Sequence, residues 1–262
     1  MLFRSREGSG AGETDAFPAS EFPLGRRYEL RDRFVGTLLV DPALAGPGRD
    51  AFFGVRGDRR VFEQALSFLA AGDLVVDVGS NFGGTSRLFA ERVGPTGSVH
   101  SFEPNPATFE LLAENCRLAP HGNVEAHPVA LGAAPGEATL FFPAEGNTGM
   151  VNLTGAGEAI GRASVETLDS LGLTPSLLKI DAEGQDGDVL AGGRETTRRM
   201  SGRRSLILVE ANWEAGADTL AAELEQLESE GFVAYLDDRK RLRPWSGERV
   251  AGNLLLVANA TL

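Results

Sequence analysis

The feature that most constrains the fold is the twelve-residue stretch DLVVDVGSNFGG at residues 73–84. Its apolar first half, with paired valines, predicts a strand buried on both faces. Its glycine-rich second half predicts a turn that leads into a helix near Thr85. A buried strand, a glycine turn and a helix in this order are typical of a crevice that binds a nucleotide-like ligand.

The spacing of the glycines indicates which ligand. In the dinucleotide fingerprint G-x-G-x-x-G, the second glycine lets the backbone approach a pyrophosphate. Here that position holds Asn81, whose side chain occupies the space. S-adenosylmethionine (SAM) has no phosphate, and its carboxylate, amine and ribose can rest against a turn in which Gly79 and Gly83 supply room. We therefore predict SAM as the cofactor.

A second element of the site follows in the next strand-like run, residues 97–103. This run ends in Glu103, at about the distance along the chain that a ribose-binding carboxylate requires. We expect Glu103 to accept hydrogen bonds from both ribose hydroxyls.

Seven segments in this order resemble the FkbM family of SAM-dependent methyltransferases: VDVGSNFG, RVGPTGSVHSFEPNP, ENCRL, NVEAHPVALG, VETLDSL, LLKIDAEG and LILVE. Together they span roughly residues 72–212. The resemblance implies the α/β class I methyltransferase fold, a Rossmann-like seven-stranded, mostly parallel sheet with helices on both faces and a C-terminal antiparallel strand pair. One departure from the family pattern follows the fourth strand, where Glu-Gly-Ala-Glu is common and this chain has Asp186 in the last position.

We expect the cofactor to contact residues in the glycine turn and after the second and third strands. These are Asp77, Gly79, Ser80, Asn81, Gly83, Glu103, Pro104, Asn105, Val129 and Ala130.

The remaining pattern divides the chain into three parts. Residues 1–24, rich in Gly, Ser and Pro, are expected to form a mobile N-terminal segment. Residues 25–71 are expected to form an appendage, with a strand or hairpin at 28–40 and a helix that Asp58 caps and Gly72 ends. Residues 72–262 form the predicted SAM-dependent methyltransferase domain.

Within that domain, strands and helices alternate as in a parallel sheet. Asn105 and Pro106 predict the start of the second crossover helix, and a third strand begins at Val124. The fourth and fifth strands are predicted at 177–181 and 206–210, and an antiparallel pair at 232–236 and 253–257. The segment 132–167 breaks the alternation, with one strand at 138–142 and loops at 146–150 and 155–157.

Three acidic residues lie at or just after the ends of the fourth and fifth strands: Asp181, Glu183 and Glu210. Ligands of open α/β sheets bind at the carboxyl ends of strands, and crowded carboxylates have raised pKa values. Any of the three could act as the catalytic base for a hydroxyl acceptor. Alternatively, Asp181 and Glu183 only shape the crevice by bonding loop amides, or Asp181 and Glu210 hold Mg²⁺ with Asn212 as a further ligand.

The composition limits the partners. The net charge of -12 makes nucleic acid and anionic membranes poor partners. A lone cysteine, Cys116, on an apolar helical face is expected to be buried, and it fits a reducing compartment. No run approaches the length of a membrane span, and the first residues lack the apolar core of a signal peptide, so we expect a cytoplasmic protein.

We therefore predict a SAM-dependent O-methyltransferase that acts on a hydroxyl of a small molecule, a sugar or a secondary metabolite. The acceptor class comes from the resemblance. One alternative is an NAD-dependent oxidoreductase, which Asn81 disfavours. Another is a non-catalytic SAM-binding or scaffold module, which a fold alone never excludes. His127 is expected near the adenine or in a structural role.

Overall fold

The computed structural model describes residues 2–5, 28–32, 36–41, 55–143, 151–155, 157–211, 213, 216–237, 242–249 and 252–258. The strands are β1 Leu2–Ser5, β2 Tyr28–Asp32, β3 Gly36–Val40, β4 Leu74–Val78, β5 Ser98–Phe102, β6 Val124–His127, β7 Ala130–Leu131, β8 Gly136–Phe142, β9 Glu158–Glu166, β10 Leu177–Ile180, β11 Leu206–Ala211, β12 Phe232–Asp237, β13 Leu242–Pro244 and β14 Gly252–Ala258. The α-helices are α1 Val55–Phe68, α2 Gly84–Val93, α3 Pro106–Arg117, α4 Asp186–Ala191, α5 Arg194–Ser201 and α6 Ala217–Ser229.

The main sheet has the strand order β13-β12-β14-β11-β10-β4-β5-β6. Strands β11, β10, β4, β5 and β6 are mutually parallel, and β14 pairs antiparallel with both β11 and β12. The predicted parallel sheet with a C-terminal antiparallel pair is thus confirmed. The sheet has an eighth strand, β13, in addition to the predicted seven. Its three residues pair with the edge of β12, and a segment this short shows no pattern in the sequence.

The sheet is buried on both faces, as the valine-rich first strand predicts. Val76 and Val78 of β4 pack in one core with residues of α4, α5 and α6. Val75, between them in the chain, packs in the opposite core with residues of α1 and α2. Successive side chains of a strand point to opposite faces, so a strand covered by helices on both sides must be apolar throughout.

The segment that breaks the alternation forms a separate three-stranded sheet in the order β7-β9-β8. Strand β8 confirms the strand predicted at 138–142, whereas β9 was not predicted. Most β9 side chains are exposed, and Ala163 is the one that is buried. A strand held by backbone pairing alone shows no alternation of apolar and polar residues, so the sequence pattern did not predict β9. The loop predicted at 146–150 lies outside the described residues.

The N-terminal region adds a strand and shifts the start of a helix. Residues 2–5 pair antiparallel with β2, within the segment 1–24 that is expected to be mobile, and the mobility of that segment stays a prediction. Helix α1 begins at Val55, which places Asp58 inside its first turn and not at its N-cap. The hairpin expected at 28–40 is confirmed as β2 and β3. The division into an appendage and a main domain stays a prediction.

The hairpin is joined to the main domain through Asn115 of α3. The amide of Asn115 accepts a hydrogen bond from Leu39 N at 2.6 Å and donates to Leu39 O at 2.9 Å. It also donates to Phe82 O, in the glycine-rich turn, at 2.7 Å. One buried amide thus links the appendage to the turn after β4.

Candidate active site

The turn after β4 has a backbone that requires glycine. Gly79 has φ +69°, and a Cβ atom at this position would lie 1.8 Å from Asp181 O, which belongs to the neighbouring strand end. Asn81 also adopts a left-handed conformation, with φ +50°. Gly83, with φ +90°, is the N-cap residue of α2. The turn therefore lies tightly against the end of β10, with the N-terminus of α2 beside it.

Asp77, the last but one residue of β4, holds this turn in place. It is fully buried, and its Oδ2 accepts hydrogen bonds from Thr85 at 2.8 Å and Ser86 at 2.6 Å, both in the first turn of α2. The Ser80 hydroxyl donates to Asp77 O at 2.7 Å. A carboxylate at a helix N-terminus also interacts favourably with the helix dipole. Asp77 and Ser80 thus shape the site from inside the protein.

Lys179 of β10 is a site residue that the sequence analysis missed. Its Nζ lies 3.2 Å from Asp77 Oδ1 and 3.3 Å from Asp181 Oδ2, and it donates to Gly79 O at 2.9 Å. Burial disfavours the ammonium, but the charges of Asp181 and Asp77 hold the pKa of Lys179 above its ordinary value. The sequence does hold a signal for Lys179, since it is a lysine among the apolar residues of a predicted buried strand. A buried cation requires an anionic partner, so such a lysine indicates a charged site.

Glu103, after β5, is a buried carboxylate that faces the turn. Its Oε2 accepts from Asn81 N at 2.9 Å, and its Oε1 accepts from Asn105 N and Thr108 Oγ1, both at 2.9 Å. Burial raises the pKa of Glu103, while these hydrogen bonds oppose the rise. A carboxylate has about four acceptor positions, so three are used and about one, on Oε2, is left. The contact of Glu103 with the ribose hydroxyls stays a prediction, and the free acceptor position has room for about one of them.

Two asparagines complete this part of the site. Asn105 is the N-cap of α3 and accepts from Ala107 N, as the sequence predicts. The Oδ1 atom of Asn81 is buried and has no hydrogen-bond partner among the described residues. A buried acceptor without a donor is unfavourable, so Asn81 suits a ligand that brings an N–H or O–H group.

The residues expected to contact the cofactor thus form two groups. Gly79, Asn81, Gly83 and Glu103 meet at the carboxyl ends of β4 and β5. The others precede or follow these residues in the chain, lie between them, or come after β6: Asp77, Ser80, Pro104, Asn105, Val129 and Ala130. Val129 is half-buried against the large core and Ala130 is buried in β7, on the side where β6 ends.

The three acids come together at the ends of β10 and β11. The carboxyl groups of Asp181 and Glu210 share a hydrogen bond, and Glu183 is close enough to raise the pKa of Glu210. Glu183 has a left-handed backbone, with φ +49°. Non-glycine residues in this conformation are uncommon and are found most often at functional sites.

The environments of these acids differ. Partial burial opposes ionisation of Asp181, whose side chain is 37% exposed, but the Lys179 ammonium and the hydrogen bond with Glu210 hold the pKa of Asp181 below its usual range. The charge of Asp181 and the hydrogen bond with it raise the pKa of Glu210. Burial, then Asp181 and Asp186, raise the pKa of Glu183 to about 7. Asp181 is therefore the ionised member, and Glu183 titrates near neutrality.

Asp186, where the chain departs from the family pattern, closes the loop between β10 and α4. Its Oδ1 accepts from Ala182 N at 2.9 Å, and the side chain is buried. Burial raises the pKa of Asp186 to about 6.

A magnesium site at Asp181 and Glu210 does not fit this arrangement. The Lys179 ammonium lies 3.3 Å from Asp181 Oδ2, where it would repel a second cation. The two carboxyl groups also share a hydrogen bond, and the shared proton would have to leave before both could bind a cation. Asn212, the expected third ligand, lies outside the described residues.

Cys116 is buried, as the sequence predicts, and His127 packs against a ring on β5. Burial raises the pKa of the Cys116 thiol to about 12, which disfavours the reactive thiolate. The His127 ring stacks on Phe102 with 4.5 Å between ring centres. In the described part of the chain, no helix is both long and apolar enough to cross a membrane.

The sheet order, the glycine turn after its central strand and the carboxylate after the next strand define the class I methyltransferase fold. A Clostridium thermocellum protein described as an rRNA methylase has this fold, with a TM-score of 0.50 and 10% identity over 77% of this chain and 93% of that chain.

The chain belongs to the FkbM methyltransferase family, whose model, described as the methyltransferase FkbM domain, matches residues 77–234. "Methyltransferase 1" of Beauveria bassiana is 32% identical over 145 residues, which cover 45% of this chain and 57% of the relative. "Hexuronic acid methyltransferase AglP" of Haloferax volcanii is 31% identical over 145 residues, covering 53% of this chain and 57% of the relative. The chain thus spans just over half the length of these two curated relatives.

Proposed function

We propose that the protein transfers a methyl group from SAM to a hydroxyl oxygen of a small molecule, a sugar or a secondary metabolite. The observation that carries the proposal is that a donor-type site and a cluster of carboxylates occupy neighbouring strand ends of one sheet. Family membership supports methyl transfer over the oxidoreductase alternative. The relative that acts on hexuronic acid supports a sugar acceptor.

The donor half would hold SAM through four residues. The turn between Gly79 and Gly83 leaves room for the amino-acid portion, and Asn81 Oδ1 offers a buried acceptor for its amine. The remaining acceptor position of Glu103 would receive a ribose hydroxyl. When bound, SAM supplies an electrophilic methyl group on a positively charged sulfur. Among the described residues, the acids at these strand ends outnumber the Lys179 ammonium, and the resulting negative potential favours a cationic donor.

The acid half would supply the base, and we assign this role to Glu183. A base must be unprotonated at the working pH and basic enough to accept a proton, which a pKa of about 7 satisfies. Asp181 is paired with Lys179 and is a weaker base, and Glu210 shares a proton with Asp181. Those two residues would maintain the charge around Glu183. Holding the acceptor oxygen in line with the methyl group would supply much of the remaining rate enhancement.

An aromatic pair supports a ring-shaped acceptor. Trp213 follows Glu210 by three residues at the carboxyl end of β11, and its ring stacks with Trp245 at 6.3 Å between centres. The Arg249 guanidinium lies 5.8 Å from the centre of the Trp213 ring. Half-buried aromatic faces near a polar site are common surfaces for sugar rings and for flat metabolites. The two tryptophans are distant along the chain, so no local pattern in the sequence predicts that they pair.

The test has two steps. Titration calorimetry with SAM, S-adenosylhomocysteine and NAD should show binding of the first two only. Purified protein with labelled SAM should then methylate a member of a panel of hexuronic acids, neutral sugars and phenols, and NMR of the product should show a methyl ether. Binding of NAD without SAM would support the oxidoreductase. SAM binding without transfer to any member would support the scaffold, and a methyl ester would place transfer on a carboxylate.

A further inference from the structure

Two of the three histidines of the chain lie together with a glutamate on one face of the main sheet. His100 is on β5, and Glu125 and His127 are on the edge strand β6, where His100 and Glu125 are direct cross-strand partners. His100 Nδ1 lies 3.3 Å from His127 Nε2. Glu125 Oε2 lies 3.6 Å from His100 Nδ1, and Glu125 Oε1 lies 3.9 Å from His127 Nε2. Three potential metal ligands therefore converge on one point.

These separations can be compared with those around a zinc ion. Zinc in proteins binds imidazole nitrogen at about 2.0–2.1 Å and carboxylate oxygen at about 2.0–2.2 Å in a tetrahedron, which places neighbouring ligand atoms about 3.3–3.5 Å apart. The distance between the two histidine nitrogens, 3.3 Å, already has this value. The two Glu125 contacts, at 3.6 and 3.9 Å, are made by different carboxylate oxygens. Because the Glu125 side chain is 67% exposed, it can turn to bring one oxygen to both nitrogens.

We propose that His100, Glu125 and His127 form a binding site for a divalent transition-metal ion, with zinc as the ion that the ligand set suits best. Two imidazoles and one carboxylate make a known type of three-residue zinc site, in which a water molecule takes the fourth position. Such ligands are less suited to Mg²⁺ and Ca²⁺, which prefer oxygen.

The simpler alternative is a hydrogen bond between the two imidazoles. It needs one neutral ring to donate its N–H to the other at the 3.3 Å contact. Metal binding needs the opposite arrangement, in which His100 carries its proton on Nε2 and His127 on Nδ1. The convergent carboxylate, which a hydrogen-bonded imidazole pair does not require, favours the metal site.

The site connects to the proposed donor site through the backbone. His127 O accepts a hydrogen bond from Glu103 N at 3.1 Å. The His127 ring also stacks on Phe102, the residue that precedes Glu103. A metal ion that joins β5 to β6 would thus fix the strand ends that present Glu103.

Zinc binding by the full chain tests the proposal without any activity assay. Protein treated with EDTA and dialysed is titrated with ZnCl₂ by calorimetry, and the ring protons of the histidines are followed by NMR. We expect one zinc ion per chain and shifts in two of the three histidine ring systems. His100→Ala and His127→Ala should each weaken zinc binding at least about tenfold, the lower end of what second-shell substitutions already cost.

The third histidine provides the matched control. His121 lies outside the cluster, 3.8 Å from Glu91, so His121→Ala should bind zinc like the wild type. Glu125→Gln, at an exposed position, should weaken binding without disturbing the fold, and it keeps the test decisive if a histidine variant does not fold. The proposal is overturned if the wild type binds no zinc, if Glu125→Gln and the histidine variants bind it unchanged, or if His121→Ala alone loses it.

Discussion

Replacement of Lys179 by methionine should be among the most destabilising single changes in this protein. The ammonium is the cation at the junction of β4 and β10, where it contacts the carboxylates of Asp77 and Asp181 and the carbonyl of Gly79. Methionine has a similar length and keeps the packing of the side-chain stem. The substitution therefore removes the charge with little loss of volume.

The magnitude follows from what remains of the two acids. Asp181 is 37% exposed and can be solvated, whereas Asp77 is fully buried. Asp77 Oδ2 keeps its bonds to Thr85 and Ser86, but Asp77 Oδ1 has no hydrogen-bond donor among the described residues apart from its ion pair with Lys179. Removing one partner of a buried ion pair typically costs about 3–5 kcal/mol, because the other charge is left buried. We expect a loss in this range for Lys179→Met.

Urea unfolding at pH 7, followed by circular dichroism, gives the free energies of unfolding. The control is Arg162→Met, which breaks an ion pair with Glu137 in which both side chains are exposed and should cost at most about 1 kcal/mol. Adding Asp77→Asn to Lys179→Met should recover part of the stability, since no charge is then buried alone. The explanation by a buried unpaired charge would be refuted if Lys179→Met and Arg162→Met lost the same free energy of unfolding. It would also be refuted if adding Asp77→Asn to Lys179→Met recovered none of the loss.

Three further predictions concern the site. Glu103→Ala should weaken SAM binding by about 1–3 kcal/mol in calorimetry, because it removes a buried acceptor that also holds the turn; unchanged affinity would show that Glu103 does not face the donor. Glu183→Gln should reduce kcat about 10²–10⁴-fold and leave SAM affinity unchanged. The rise of kcat as pH increases through about 7 should also disappear, and a rise that remained in the variant would assign the base to another residue. Gly79→Ala should destabilise far more than Gly94→Ala in urea unfolding, since both have positive φ but only the first Cβ meets backbone, and equal effects would contradict the close approach.

Much of the fold could be predicted because it depends on local patterns. The apolar run that becomes β4, the glycines after it and the Asn105 cap before Pro106 each specify a conformation within a few residues. The order of these elements, with short connections, then implies a parallel sheet. Strands without such a pattern, β9 and β13, were missed because their pairing uses the backbone and leaves most side chains exposed or half-buried.

The site was predictable in outline for the same reason. Acids that follow predicted strands must lie at the carboxyl edge of a parallel sheet, which brings Asp181 and Glu210 together. Their individual protonation could not be predicted, because it depends on Lys179 and on the depth of burial. The sequence gives Glu183 no advantage over its two neighbours, whereas the three-dimensional surroundings raise its pKa to about 7.

The sequence by itself determined which segments become strands and helices and where a ligand-binding turn lies. The tertiary structure alone decided which residues from distant segments meet. Lys179 and Asp77 are cross-strand partners, as are His100 and Glu125, through the register of parallel strands that are far apart in the chain. Register is fixed by how all the apolar faces pack at once, so no local pattern shows it. A shift of one residue would turn these side chains to opposite faces of the sheet and separate both the buried ion pair and the histidine cluster.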